Sequence, residues 1–461
     1  MAGFTHRRKE RRQGMQSPVT VSTKLQRIAE LARNAPDMAF TSLSHHIDFD
    51  LLHEAYRRTR KDGAPGVDGQ TAAQYAKDLE GNLRSLLGRL KAGTYRAPPV
   101  RRVHIPKGDG SETRPIGIPT FEDKLLQRAV TMVLEAVYEQ DFLDCSYGFR
   151  PKRSVHQALQ TLWKGAMDMD GGWVLEVDIR KFFDSLEHSH LRALLDQRVR
   201  DGVLRRMIDK WLKAGVLEDG ALEIPDKGTP QGGVVSPLLA NVYLHTVVDT
   251  WFEGEIRPSL EGKAFLVRYA DDLVIVFTSV NDARRVKAAL PERFGVYGLT
   301  LHPEKTRLVP FRRPTYRSTG KGEDTFGTQP QDFDFLGFRH FWARSRKGGW
   351  VVKQNTAASR FRRALKAVDD WCRRHRHWSL KEQQQALAQK LRGHFAFYGI
   401  TGNSIALSRF RFWVLRSWKR WLDRRSQRAR MRWAKFNAML ERFPLPPARA
   451  ARSVLRHAAK A

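Results

Sequence analysis

Cysteine is nearly absent from this chain, with only Cys145 and Cys372 in 461 residues. Two thiols so far apart build neither a zinc ribbon nor a disulfide framework. A disulfide-stapled scaffold is excluded, and a reduced, cytoplasmic setting is expected, with both thiols as small core residues. Long apolar runs are absent too. No stretch reaches the roughly 18 consecutive apolar residues of a membrane span. Met1 to Gln16 is basic with no apolar segment behind it, unlike a secretory signal. Acidic residues are in deficit: 49 Asp+Glu stand against 81 Lys+Arg, a formal net charge of +32. Such an excess favours a polyanionic partner, nucleic acid first and an anionic membrane surface second. There is no internal repeat and no low-complexity tract. A hydrophobic content of 41% is too high for a disordered chain. The length is too great for one ordinary core, so two or three domains are expected.

Residues 1–40 read as a basic extension with one amphipathic run, Lys24 to Arg33. Asp50–Arg60 and Gln70–Lys91 have helical patterns, the second with Leu79, Leu83, Leu86 and Leu90 on one face. Between them, Ala64-Pro65-Gly66-Val67-Asp68-Gly69 is a loop by its Pro and Gly content. Val100–Pro106 and Arg114–Ile118 form a hairpin with Gly108-Asp109-Gly110 at its tip. Phe121–Tyr138 is helical in period, Trp173–Val177 a strand, and Leu186–Val199 a helix. Ser236-Pro237 opens a helix that runs to about Trp251, with Ser as N-cap and Pro at its first position. Ala264–Tyr269 and Leu273–Phe277 are strands. This alternation predicts an α+β fold, a mixed sheet covered by helices on one side. Arg312–Gln331 reads as an exposed loop.

From Arg344 onward the character changes. Thirty Lys+Arg face five acidic residues, interleaved with Trp350, Trp371, Trp378, Trp413, Trp418, Trp421 and Trp433. Phe361, Leu365, Val368 and Trp371 recur at helical spacing. A separate, helical, strongly basic domain is expected, with most of these indoles in its core and the others free to meet RNA bases.

The chemistry lies on two strands. Leu175-Glu176-Val177-Asp178 ends one in a carboxylate. Tyr269-Ala270-Asp271-Asp272 puts two more on a tight turn between apolar runs. If the strands are neighbours, the three carboxylates meet at one sheet end. Hard oxygen ligands of this kind suit Mg²⁺. Two such ions about 3.5–4 Å apart activate an attacking 3′-hydroxyl and neutralise a leaving pyrophosphate. Carboxylates so crowded repel one another and make sense only around cations. By itself an Asp-Asp pair is usually only a turn, and a lone Asp after a strand an N-cap. The flanking strands and the accompanying motifs carry the weight.

Tyr269–Asp272 resembles the active-site turn of reverse transcriptases. Glu176–Ser185 (EVDIRKFFDS), Gly228–Asn241 (GTPQGGVVSPLLAN), Leu301–Thr306 (LHPEKT) and Phe335–Phe338 (FLGF) follow that family's other motifs in order. Lys61–Gly69 (KDGAPGVDG), Val103–Thr120 (VHIPKGDGSETRPIGIPT) and Ser146–Arg153 (SYGFRPKR) look like the bacterial group II intron proteins. So do Gly393–Asn403 (GHFAFYGITGN) and Phe443-Pro444-Leu445-Pro446. The resemblance implies a right-hand polymerase. Fingers and palm, with an antiparallel palm sheet, would occupy 41–345. An all-helical thumb and maturase RNA-binding domain would occupy 346–445, and a basic tail 446–461.

Residue by residue, the resemblance implies that Asp178, Asp271 and Asp272 are the catalytic, metal-binding carboxylates. The backbone carbonyl of Ile179 would be a further ligand, and two Mg²⁺ ions the cofactor, with Mn²⁺ as a substitute. Phe183 would stand under the sugar and exclude a ribose 2′-hydroxyl, while Phe182 packs. Lys107 and Arg114 would grip the incoming triphosphate with charge-assisted donors, Gln231 would pack on the nucleotide, and Lys305 would protonate the pyrophosphate. Phe335, Leu336 and Gly337 would form the primer grip. Taken singly, the cations are ordinary surface charges and Phe335–Phe338 an ordinary buried strand.

The implied function is that of an RNA-directed DNA polymerase of a group II intron in the bacterial cytosol. It would bind intron RNA, assist splicing and copy the intron into DNA at a new site during mobility. Its partners would be that RNA, an RNA template, a DNA primer and deoxynucleoside triphosphates, with no membrane. The form would be one without an HNH endonuclease module, whose paired cysteines this sequence lacks. Two alternatives stand beside this: a domesticated reverse transcriptase in DNA repair or phage defence, and a polymerase-inactive splicing factor. The intact Asp178, Asp271 and Asp272 argue against the second.

Overall fold

The computed structural model describes residues 18–107, 112–218, 221–224, 226–229, 231–314, 331–426 and 430–450, with the backbone alone at 18–20, 107 and 112. The expected Gly108-Asp109-Gly110 tip and most of the expected Arg312–Gln331 loop lie outside these residues. The described strands are β1 (Val100–Lys107), β2 (Glu112–Ile118), β3 (Trp173–Val177), β4 (Val216–Glu218), β5 (Ala221–Glu223), β6 (Ala264–Tyr269), β7 (Asp272–Phe277), β8 (Arg307–Pro310), β9 (Phe333–Phe335), β10 (Phe338–Arg344) and β11 (Trp350–Thr356).

Helix Phe121–Tyr138 organises the first core. The Thr120 side chain caps it by accepting from the Asp123 N–H, and 13 of its 18 residues are buried. A helix apolar on nearly every face must be wrapped. Helices Pro18–Asn34, Phe49–Arg58 and Leu79–Lys91 share its core through Ile28, Leu51, Leu52, Leu83 and Leu86. The amphipathic run at Lys24–Arg33 is thus the centre of a longer helix packed into the body of the protein. The expected helix Gln70–Lys91 is interrupted by a tight turn at Ala76–Asp78. There the Asp78 side chain accepts from the Gly81 N–H and starts a new helix at Leu79.

The central sheet has the order β6-β7-β3-β8, antiparallel throughout. Helices were expected on one side of it; both faces are covered. Leu175, Val177, Leu273, Ile275 and Phe277 join the first core, with helix Val280–Val296. The alternate residues Val174, Val267, Val274, Val276 and Val309 join a second core with helix Val155–Asp168 and the small sheet β9–β11. The unbroken apolar run Leu273–Phe277 is the mark of a strand buried on both faces. A further sheet, β2-β1-β4-β5, contains the expected hairpin and one parallel pair, β1 with β4.

The change in charge at Arg344 is not a structural boundary. β10 and β11 pair around it, Arg344 opposite Trp350. The expected all-helical segment therefore opens with a strand, and its helices begin at Ala358. Helices Ala358–Arg374, Leu380–Tyr398, Ser404–Leu422 and Trp433–Arg442 share a third core. Of the seven indoles, Trp418 alone is fully buried, while Trp378, Trp413 and Trp433 are exposed. Cys372 is buried and Cys145 half-buried, both as free thiols. Burial pushes the Cys372 thiol up to about 12. Among the described residues, no helix is long and apolar enough to cross a membrane.

Candidate active site

β6 and β7 are joined by a two-residue loop. Tyr269 and Asp272 form the last pair, leaving Ala270 and Asp271 in the turn. Ala270 has φ +56°, a left-handed conformation that hairpin turns usually give to glycine. Such a residue costs about 1–3 kcal/mol and persists only when its surroundings hold it. Arg268 does so from a fully buried position. Its Nη1 donates to the Ala270 carbonyl (3.1 Å) and to Asn241 Oδ1 (3.0 Å), and its Nη2 to Ser146 Oγ (2.7 Å). Its Nε and Nη2 both donate to the carboxylate of Asp249, which is equally buried. Asn241 Nδ2 donates in turn to the Gly148 carbonyl (2.8 Å). Gly148 lies so close to the turn that a Cβ there would come within 2.2 Å of the Ala270 nitrogen.

Arg268, Asp249 and Asn241 were not singled out from sequence. The one available signal was an arginine inside the apolar run Phe265-Leu266-Val267-Arg268. The helix carrying Asn241 and Asp249 also differs from expectation. It begins at Ser236 with Val235 as its cap, and Ser236 Oγ accepts from Thr229 Oγ1 instead of capping. Beyond Leu244 it widens into π-type turns, His245–Thr250 and Phe252–Ile256.

The register of β3 on β7 pairs Val177 with Leu273, so the next position sets Asp178 beside Asp272. Burial raises the Asp271 carboxyl; a backbone hydrogen bond and Arg114 oppose this, and the charge of Asp178 adds to it. Asp272 is pushed up to about 6, first by burial and then by the charges of Asp271 and Asp178, with Arg360 and Arg114 opposing. Asp272 reaches solvent at the mouth of the site, but the surrounding walls still strip much of its water. Asp178 and Asp272 line a cleft of about 350 Å³ together with Glu176, Lys305, Arg307, Asp334 and Phe335. Lys305 Nζ lies 3.7 Å from Asp178 Oδ2. The Asp178 carbonyl accepts from the His302 N–H (2.8 Å), and the buried Ile179 bridges Leu301. The Leu301–Thr306 motif is therefore anchored on the end of β3.

Phe182 is buried and Phe183 half-buried, edge to face at 5.2 Å. The Phe183 carbonyl accepts from the Thr229 N–H (2.8 Å). Two residues on, the Gln231 carbonyl accepts from the Gly117 N–H on β2 (2.6 Å). Gly232 has φ +115°, and a Cβ there would lie 2.5 Å from the Gly117 carbonyl. The glycine-rich loop thus ties Phe183 to the strand that carries Arg114, whose charge reaches Asp271 and Asp272. The side chain of Lys107 lies outside the described residues; its backbone ends β1 opposite Glu112.

Residues 105–340, which include most of these groups, match the family model described as reverse transcriptase (RNA-dependent DNA polymerase). The chain belongs to the reverse transcriptase family. Group II intron-encoded protein LtrA of Lactococcus lactis subsp. cremoris is 39% identical over 226 residues, which are 48% of this chain and 37% of LtrA. Protein YkfC of Escherichia coli (strain K12) is 33% identical over 324 residues, 62% of this chain and 84% of YkfC. Nuclear intron maturase 2, mitochondrial, of Arabidopsis thaliana is 28% identical over 231 residues, 42% of this chain and 30% of that protein. The aligned part of the chain spans well under half the length of LtrA.

In this member of the reverse transcriptase family the FLGF motif is a second strained hairpin. Phe335 pairs with Phe338, and both loop residues are left-handed, Leu336 at φ +49° and Gly337 at φ +84°. The Gly337 carbonyl accepts from the Ala357 N–H (3.0 Å), which docks the first C-terminal helix against the motif. That helix carries Arg360, whose charge acts on both Asp272 and Asp334. Sequence reasoning missed this reach of the C-terminal region into the carboxylate cleft, along with Glu176, Arg307 and Asp334.

The donor set fits a divalent cation by its chemistry: hard carboxylates whose mutual repulsion already raises Asp272. Among the described residues, no three His, Cys, Asp or Glu side chains stand together at metal-ligand spacing. A cation would thus have to draw these carboxylates in. The raised Asp272 makes a testable statement. Its proton is held more tightly in the folded protein, near pH 6, than in the unfolded chain, near 3.8. Ionisation therefore costs stability progressively between those values and fully above them. Asp272→Asn should raise the melting temperature of the metal-free protein at pH 8 and shift it far less at pH 4. An equal shift at both pH values, read by thermal melts in EDTA, would mean that charge is not the cause.

Proposed function

We propose that this chain is an RNA-directed DNA polymerase of a group II intron, which also binds the intron RNA and assists its splicing. The observation that supports this most is the single cleft gathering Asp178, Asp272, Lys305 and Phe335, with Asp271 on the adjoining turn and the charge of Arg114 reaching it. In this reading residues 41–345, together with β11 and the packed helix Pro18–Asn34, are fingers and palm of a right-hand polymerase. The helices from Ala358 onward are thumb and maturase domain, and 446–461 is a basic tail. The protein works in the bacterial cytosol.

Asp178, Asp271, Asp272 and the Ile179 carbonyl would hold two Mg²⁺ ions, or Mn²⁺ in their place, which supply positive charge where the 3′-hydroxyl attacks and pyrophosphate departs. Arg114 and Lys107 bind the triphosphate, where charge-assisted donors stabilise developing negative charge. Gln231 packs on the nucleotide. Lys305 gives its proton to the departing pyrophosphate. Phe335, Leu336 and Gly337 hold the primer terminus, which the rigid hairpin suits. The test is extension of a DNA primer annealed to an RNA template with deoxynucleotides and Mg²⁺. Full-length product is expected. Intron RNA binding without any extension would replace this reading with that of a polymerase-inactive splicing factor.

Sugar choice should rest on Phe183. Phe182 is enclosed by core, whereas Phe183 is half-buried against the glycine-rich loop. Phe183→Val should raise ribonucleotide incorporation relative to deoxynucleotide by about tenfold or more, the scale of one steric contact in a pocket. Single-nucleotide addition with each substrate reads the ratio. An unchanged ratio in a folded variant would move the gate elsewhere.

A further inference from the structure

A cavity of about 730 Å³ lies among the C-terminal helices and shares no lining residue with the carboxylate cleft. Helices Ala358–Arg374 and Ser404–Leu422 form its walls, and Trp433 also lines it. We propose that it captures an unpaired nucleotide of an RNA strand, its phosphate on the cations and its base on an indole. This rests on the RNA-binding part of the function proposed above and gives it a place.

Charge is the first argument. Six cationic residues and two carboxylates line the cavity, leaving four positive charges in excess. Both carboxylates are already committed. Asp369 accepts from Ser417, Arg420 and Trp421, and Asp423 accepts from Lys419 Nζ (2.6 Å) and the Met431 N–H (2.8 Å). Arg362, Lys366, Arg416 and Arg424 have no carboxylate partner among the described residues. Like charges gathered around one concavity repel, and a bound polyanion relieves that repulsion.

Aromatic exposure is the second. Trp413 and Trp433 line the same cavity with 43% and 48% of their surface exposed, although the protein is large enough to bury them. The Arg416 guanidinium lies 5.5 Å from the ring centres of both Phe412 and Trp413. Lys419 Nζ lies 5.2 Å from that of Trp433. A cation thus lies against each of the two indoles, in a volume within the usual ligand-site range of about 300–1,000 Å³. An acidic peptide would use the cations and leave the indoles idle. A duplex would offer phosphates but hide its base faces. An unpaired nucleotide uses both, because every base has a face that stacks.

The experiment uses the full chain and fluorescence anisotropy with a 12-nucleotide single-stranded RNA, the same RNA as a duplex, and a glutamate-rich peptide. Trp413→Leu with Trp433→Leu should weaken single-strand binding about tenfold or more and duplex binding by less than about twofold. Arg416→Gln, a single exposed change, should weaken single-strand binding and flatten its salt dependence. Arg373→Gln, which removes a charge from the cavity's other wall helix, Ala358–Arg374, at a position outside the lining, should do neither. Thermal melts establish that each variant is folded. Equal losses on both RNAs would make the region a plain basic surface and overturn the inference, as would no loss on either. Peptide binding that the variants abolish, with single-strand binding unchanged, would assign the cavity to a protein and also overturn it. If the parent chain binds neither RNA, the RNA-binding function itself falls; if it binds and the variants match it, only the cavity does.

Discussion

Primer extension by the Asp271→Ala protein should fall by about a thousandfold or more, and Asp272→Ala should behave alike. Both side chains belong to a crowded set of carboxylates whose raised proton affinities reflect mutual repulsion as well as burial. In the proposed two-ion site, removing one would take away a ligand and the charge that draws a cation in, an effect on the scale of other lost transition-state electrostatics. RNA affinity should hold or rise slightly, because a carboxylate beside phosphates is repulsive. Single-turnover extension beside filter binding separates the two. Extension within about tenfold of the parent would move catalysis away from this turn.

Arg268→Ala should be among the most destabilising single changes in the protein. It strands Asp249 in a site from which water is excluded, and breaking a buried pair in this way typically costs about 3–5 kcal/mol. Burial pushes the Asp249 carboxyl up, but the charge and hydrogen bonds of Arg268 outweigh it and hold the group below the usual carboxylate range. A depressed carboxyl contributes stability above its unfolded value and loses it as pH falls through the folded one. The pair should therefore be intact at neutral pH and fail only in acid. Arg268→Lys keeps a charge but not the fork that joins Asp249, Asn241, Ser146 and Ala270. It should recover part of the stability and less of the extension rate, because the Ala270 carbonyl is no longer held. Chemical denaturation and single-turnover extension measure the two. An Arg268→Ala protein as stable as the parent would show that the turn keeps its strained shape without this support.

The strands carrying Asp178, Asp271 and Asp272 were legible because their pattern is local. Asp178 follows an apolar run, and Asp271-Asp272 lies between two others, so strand, turn and carboxylate can be read within about ten residues. The second covered face of the central sheet was legible in principle, since Leu273–Phe277 has no polar alternation, but alternation of helices and strands along the chain does not report it. The boundary near Arg344 was misplaced for a different reason. Charge density follows the surface that RNA is proposed to meet, whereas the boundary follows backbone pairing, and β10 and β11 pair across the change in charge.

The sequence by itself determined the family and singled out the candidate residues: the carboxylates Asp178, Asp271 and Asp272, the cations, and Phe183 beside Asp178. These depend on residue type at short spacing, where side-chain chemistry and local backbone preference suffice. Only the tertiary structure decided how the turn is held. Arg268, Asp249, Asn241 and Gly148 come from three segments, and nothing local distinguishes a buried arginine with a partner 19 residues away from a surface one. Tertiary structure also decided which indoles remain exposed, because helical spacing places Trp413 and Trp418 on a helix without saying which face another helix will cover. Burial is set by contacts between segments distant in sequence, and those contacts exist only once the chain has folded.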